Sequence, residues 1–152
     1  MKKVTFVVMA AFLSVFSISC SKGGGSHNNN PGSKSESVSF KITLTPTPGG
    51  GLKGDFDGAF NALLPNSQYA TWKINGVVRT NETTIAITQA DFQNGVITLE
   101  PTANVTAANL SLGGSTTAQY PYTVLIEPTI NGKADTALTI PVTNTFDREL
   151  KY

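Results

Sequence analysis

Three Asn-Gly dipeptides, Asn75-Gly76, Asn94-Gly95 and Asn131-Gly132, punctuate this chain. A two-residue type I′ hairpin turn needs positive φ at both central positions, which Asn and Gly tolerate best. Each dipeptide is flanked by β-branched and aromatic residues, so each predicts strands folding back on one another. The spacing pairs residues 69–74 with 77–80, and 122–127 with 134–142. Residues 83–88 and 96–100 are also expected as strands, with room for a helical turn within 89–95. Ahead of them, Val38-Ser39-Phe40-Lys41-Ile42-Thr43-Leu44-Thr45 alternates apolar and polar without a break. A period of two puts Val38, Phe40, Ile42 and Leu44 on one face of a half-buried strand. Pro46, Pro48 and three glycines end it.

No window carries a sustained helical period. Short antiparallel strands, frequent turns and no helix predict an all-β fold with two packed sheets. Ala70, Trp72 and Ile74 share one side of their strand, which is expected to face inward. The stretch Tyr69-Ala70-Thr71-Trp72-Lys73-Ile74-Asn75-Gly76 resembles the Trp-bearing central strand and hairpin of immunoglobulin-like domains. That resemblance implies a single immunoglobulin-like antiparallel β-sandwich of about seven to nine strands over residues 38–152. The cysteine pair of antibody domains is missing, as in many bacterial members. The last segment, residues 146–152, reads as a short final strand or a loose tail.

The front of the chain has a different character. Met1-Lys2-Lys3 is positive, residues 4–16 are apolar, and Ser17-Ile18-Ser19-Cys20 follows with the sole cysteine. As a helix the apolar run spans about 20 Å, short of a hydrocarbon core of about 30 Å. It therefore reads as the hydrophobic region of a signal peptide, residues 1–19. The motif resembles the lipobox of bacterial lipoproteins, with Ser17 where Leu is usual, a change found in the Bacteroidota. The resemblance implies that Cys20 carries a diacylglyceryl group and becomes the mature N-terminus. Two chains suffice for lasting attachment, at about 0.8 kcal/mol for each buried methylene. Ser21 after the cysteine points to the outer membrane, periplasmic or surface face undecided.

From Ser21 to residue 37 there is no apolar side chain to offset ordering entropy, so residues 20–37 are expected to be a lipidated Cys and a flexible polar tether. A Gly-rich coil of that length reaches about 20–25 Å. His27, the one histidine, lies within it.

Charge and chemistry narrow the function. The chain has 11 Lys+Arg against 10 Asp+Glu. Loss of Lys2 and Lys3 with a leader leaves a side-chain charge of −1, so no basic surplus marks a nucleic-acid partner. A hydroxyl or thiol nucleophile needs a positioned base, and the only His and Cys fall outside the folded region. Zinc would need His and Cys ligands that are absent. Carboxylates remain, densest in Gly54-Asp55-Phe56-Asp57-Gly58. That motif reads as a turn or bulge in which Asp caps backbone, with Asp55 and Asp57 as weak calcium candidates. A glycosidase pair would have to come from Asp55, Asp57, Asp91 and Glu100, and nothing in the sequence brings two together.

Tyr120, ahead of Pro121 and Tyr122, is a candidate exposed aromatic for ligand contact, against a reading of local packing at a strand entry. Asp135-Thr136-Ala137 resembles the O-glycosylation sequon of Bacteroidota, which implies a glycan on Thr136. Asn-x-Ser/Thr triplets at Asn81, Asn104 and Asn109 carry no such meaning in a bacterium.

These readings converge on a lipid-anchored, non-enzymatic envelope module that needs no cofactor. It contacts the membrane through Cys20 and binds a polysaccharide or an envelope protein. The alternatives are a carbohydrate-active enzyme or calcium-dependent binder using Asp55 and Asp57, and a structural spacer or fimbrial accessory subunit.

Overall fold

The computed structural model describes residues 34–152. The segment read as a leader, Cys20 and His27 lie outside the described residues. Eleven strands follow in order: β1 (Val38–Thr45), β2 (Asp55–Leu63), β3 (Trp72–Ile74), β4 (Val77–Arg79), β5 (Thr84–Thr88), β6 (Val96–Pro101), β7 (Ala107–Ser115), β8 (Tyr122–Ile130), β9 (Lys133–Ala134), β10 (Leu138–Val142) and β11 (Thr145–Lys151). They form two sheets, one ordered β10-β8-β1-β6-β3-β4 with β9 added on β8, the other β11-β7-β2-β5. Every pairing is antiparallel. The expected β-sandwich is what the chain forms, with eleven strands, three of them only two or three residues long.

The alternation of β1 is realised as read. Val38, Phe40, Ile42 and Leu44 are buried, and β1 lies mid-sheet between β6 and β8. Ala70, Trp72 and Ile74 face inward together. All three Asn-Gly turns have left-handed backbone, with φ of 49° and 80°, 52° and 80°, and 52° and 75°. The turn at Asn94-Gly95 differs from the others in its use. A single 3-10 turn, Gln89–Asp91, precedes it, and the chain there passes from β5 in the small sheet to β6 in the large one. In the third hairpin the return strand is split into β9 and β10, where Pro128 of β8 has no N–H to offer. Asp135 N–H still bonds the Pro128 carbonyl, and one extra residue is accommodated before β10 resumes pairing.

One cluster of buried apolar side chains fills the space between the sheets. Phe60 meets Trp72 edge-on at 6.3 Å, Phe56 meets Phe92 at 5.4 Å, and Phe40 meets Tyr152 at 5.0 Å. No polar or charged residue of the described chain is buried, although the Trp72 Nε1–H has no hydrogen-bond partner. Tyr122 fastens the sheets to each other. Its hydroxyl donates across the core to the Asp55 carbonyl at 2.6 Å, and Gly114 leaves room for it, since a Cβ there would strike the Tyr122 hydroxyl and the Asp55 carbonyl.

Sequence expectations met the structure unevenly, and strand β7 (Ala107–Ser115) was not anticipated at all. The Gly54–Gly58 stretch opens strand β2 instead of forming a turn, although Asp55 does bond backbone, accepting from Ser115 N–H and Oγ–H. For the final segment, read as a short last strand or a loose tail, the strand is what forms, Thr145–Lys151 paired along β7. Ordered pairing also begins before residue 38, because Glu36 and Val105 exchange backbone bonds of 2.8 and 2.9 Å.

Candidate functional site

Strand alternation sends Ser39 and Lys41 of β1, Thr98 and Glu100 of β6, Glu127 and Thr129 of β8, and Lys73 of β3 outward from the large sheet. Register then decides which of them meet. Lys41 lies opposite Glu127, and Lys73 lies opposite Glu100. Both become cross-strand ion pairs, Lys41 Nζ to Glu127 Oε2 at 2.7 Å and Lys73 Nζ to Glu100 Oε1 at 3.3 Å. Between them stand the short side chains of Ser39, Thr98 and Thr129. The surface therefore dips.

Two adjoining depressions of about 340 and 330 Å³ result, sharing Ser39, Glu100 and Thr129 in their walls. One is bounded by Gly76 of the first hairpin turn, and the other by Gly132 of the third. The groove thus runs across the sheet between two of the three Asn-Gly turns. Its paired charges are partly exposed, with side-chain accessibilities between 36% and 55%. An ammonium carries three donors and a carboxylate about four acceptor positions, so each keeps capacity beyond its partner.

The turn asparagines fix the ends of this face through a device the sequence reading missed. Asn75 N–H donates to the Thr98 carbonyl, and the Asn75 side-chain oxygen accepts from Thr98 N–H at 2.9 Å. Asn131 does the same with Ser37, donating through its N–H and accepting from Ser37 N–H at 3.1 Å. In left-handed backbone the carbonyl turns away, and the side-chain amide takes its place in the ladder. A turn dipeptide signals φ, but not which strand lies beside it.

The candidate residues named from sequence are dispersed. Asp55 and Asp57 point outward from β2 on the small sheet, and one Asp55 oxygen is held by Ser115. Asp57 shares its register row with Gly113 and Asp147, and its carboxylate leans over the glycine. Asp91 lies in the 3-10 turn, where it accepts from Thr88 N–H at 2.9 Å and pairs with Arg79 at 3.2 Å. Glu100 belongs to the groove on the other sheet. Among the described residues no three His, Cys, Asp or Glu side chains are grouped to hold a metal ion. Tyr120 is 46% exposed in the loop before β8, at the opposite end of that strand from Glu127 and Thr129. Thr136 is exposed between β9 and β10, its N–H bonded to the Asp135 carboxylate at 2.7 Å.

No family model matches the chain, and no curated protein matches it. Solved structures do share the fold. A domain of unknown function, DUF4425, from Bacteroides vulgatus ATCC 8482 superposes with a TM-score of 0.59 at 9% identity, over 78% of this chain and 94% of that one. The calcium-bound form of a protein from Parabacteroides distasonis, solved by NMR, gives 0.59 at 13% identity, over 87% and 97%. A DUF4425 family protein from Bacteroides ovatus ATCC 8483 gives 0.59 at 11% identity, over 78% and 95%. At these identities the likeness is one of fold.

Proposed function

We propose that this chain is a lipid-anchored, non-enzymatic module of the cell envelope that binds a hydrophilic polymer, foremost a polysaccharide, on the outer face of its large sheet. The observation that carries the reading is the groove between the Lys41–Glu127 and Lys73–Glu100 pairs. Small-molecule pockets are mostly apolar and enclosed. This one is open and elongated, with charges of both signs beside the hydroxyls of Ser39, Thr98 and Thr129, groups that can exchange hydrogen bonds with sugar hydroxyls. Exposed ion pairs contribute only about 0–1 kcal/mol to stability, so stability alone gives little reason for two of them beside one depression. Attachment through Cys20 and the residues after it would hold such a face within reach of envelope glycans; an envelope protein remains the other class of partner.

Calcium-dependent binding has a weaker footing. Calcium takes six to eight oxygens. Asp57 and Asp147 are separated by the whole of β7, about 9–10 Å in backbone terms, and Asp55 is engaged with Ser115. The acidic face as it stands does not fit the ion.

A glycan array followed by titration of the retained polysaccharides tests the proposal. Glu100→Gln and Lys73→Gln are expected to weaken binding about tenfold each with the fold unchanged. An empty array, or variants that bind as the parent does, would overturn it. Mass spectrometry of the mature N-terminus tests the anchor separately, since an unmodified Cys20 thiol removes the attachment without touching the groove.

A further inference from the structure

Five strands lie at the sheet edges, and four of them carry features that discourage a further strand, β9 being two residues long with Lys133. β10 contains Pro141, β4 is three residues long and ends in Arg79, and β11 carries Asp147, Arg148, Glu149 and Lys151. β5 is the least defended, guarded only where the Asp91 carboxylate takes Thr88 N–H at its end. Thr84-Ile85-Ala86-Ile87-Thr88 has no charge, proline or glycine, and it reads the same in both directions. Among the described residues no backbone group pairs with it on the side away from β2. Thr88 N–H is turned to the Asp91 carboxylate, so by ladder alternation the N–H and C=O groups of Thr84, Ala86 and Thr88 face that open side.

We propose that β5 is a self-association edge, and that its occupant is β5 of a second copy, paired antiparallel about a two-fold axis through Ala86. The palindrome selects that occupant. Under the two-fold, Thr84 meets Thr88, Ile85 meets Ile87, and Ala86 meets its own copy, so the outward row stays polar and small while the inward row stays apolar. Ala86 exchanges both backbone bonds with its copy, and each Thr84 N–H reaches the Thr88 carbonyl opposite. The charges flanking the strand are compatible, because the same register sets Glu82 against Ala90 and Asp91 against Asn81. Apolar area is available beside it. Since β3 packs over β2, β4 and β5 end their sheets on one side of the sandwich, and Val77 and Val78 of β4 are 66% and 46% exposed. A five-residue edge with two valines is smaller than a standard permanent interface, so the dimer is a concentration-dependent one.

The core cluster lies wholly between Val38 and Tyr152, so a chain starting at Ser21 keeps the fold and removes any lipid. Sedimentation velocity of that form, from about 10 μM to about 1 mM, is expected to pass from monomer to dimer. Ala86→Lys puts two ammonium groups face to face across the axis, and Ala86→Pro removes the N–H that the pairing needs while leaving the β2 side intact. Each raises the midpoint at least about tenfold with an unchanged circular dichroism spectrum. If Ala86→Pro fails to fold, Ala86→Lys decides alone. A parent that stays monomeric throughout, open-ended oligomers, or a dimer indifferent to Ala86→Lys overturns the proposal.

Discussion

A single phenol shows how residue chemistry sets the behaviour of this sandwich. Tyr122 is buried against Phe146, and its hydroxyl crosses from the large sheet to the Asp55 carbonyl of the small one. Burial raises its pKa well above the ordinary value of 10.0, and the Asp55 and Asp57 carboxylates raise it further. Tyr152 is raised as well, by burial and then by Asp135. Below about pH 10 both states hold these protons, and the stabilisation is complete. Above it the unfolded chain loses its protons first, so stability falls as pH rises. Melts followed by emission of the buried Trp72 should therefore be level near pH 8 and decline above about pH 10. Tyr122→Phe is expected to cost about 1 kcal/mol at neutral pH, the net worth of one hydrogen bond, and to flatten part of the alkaline decline. An unchanged slope would mean that Tyr122 is not the group responsible.

At the level of elements, the three Asn-Gly turns look alike in sequence and differ in what they support. Asn75 and Asn131 each replace a ladder carbonyl with a side-chain oxygen, for Thr98 and Ser37 respectively, whereas among the described residues Asn94 has no counterpart of those bonds. Glycine preserves the left-handed backbone and deletes the amide. Asn75→Gly and Asn131→Gly should each cost about 1–2 kcal/mol in urea melts, while Asn94→Gly stays within about 0.5 kcal/mol. Equal losses at all three would show that φ alone matters. The same contrast explains what the sequence disclosed. β1 and the hairpins were legible because their inward positions carry large side chains or their turns carry a fixed φ. β2 and β7 were not, because one inward position of each, Gly58 and Gly114, is a glycine that breaks the apolar alternation. A Cβ at Gly58 would meet the Phe60 ring, Leu112 and Ile87, and one at Gly114 would meet Tyr122 and Phe146. Where a neighbouring strand fills the core, the local pattern shrinks to Gly-Gly-Ser or Asp-Gly and imitates a loop. The groove was hidden for a related reason. Lys41 and Glu127 are 86 positions apart, and only register brings them together.

For the molecule as a whole, cohesion and recognition are carried by different atoms. The interior of the described residues is apolar apart from the Tyr122 hydroxyl and the Trp72 indole N–H, while the groove charges stand on the outside. Removing them should therefore be nearly silent in stability, which is also what allows them to be tested as binding groups. The paired variant Lys41→Gln/Glu127→Gln is expected to unfold within about 1 kcal/mol of the parent, the range for exposed pairs. The same argument predicts a weak response to salt. Raising sodium chloride from about 0.05 to about 0.5 M screens such pairs, so the melting temperature should move little in either protein. A loss of several kcal/mol in the variant, or a steep salt dependence of the parent that the variant lacks, would show the pairs holding the sheet together. Their contribution to binding would then have to be measured against an altered fold, and core and face would not be energetically separate.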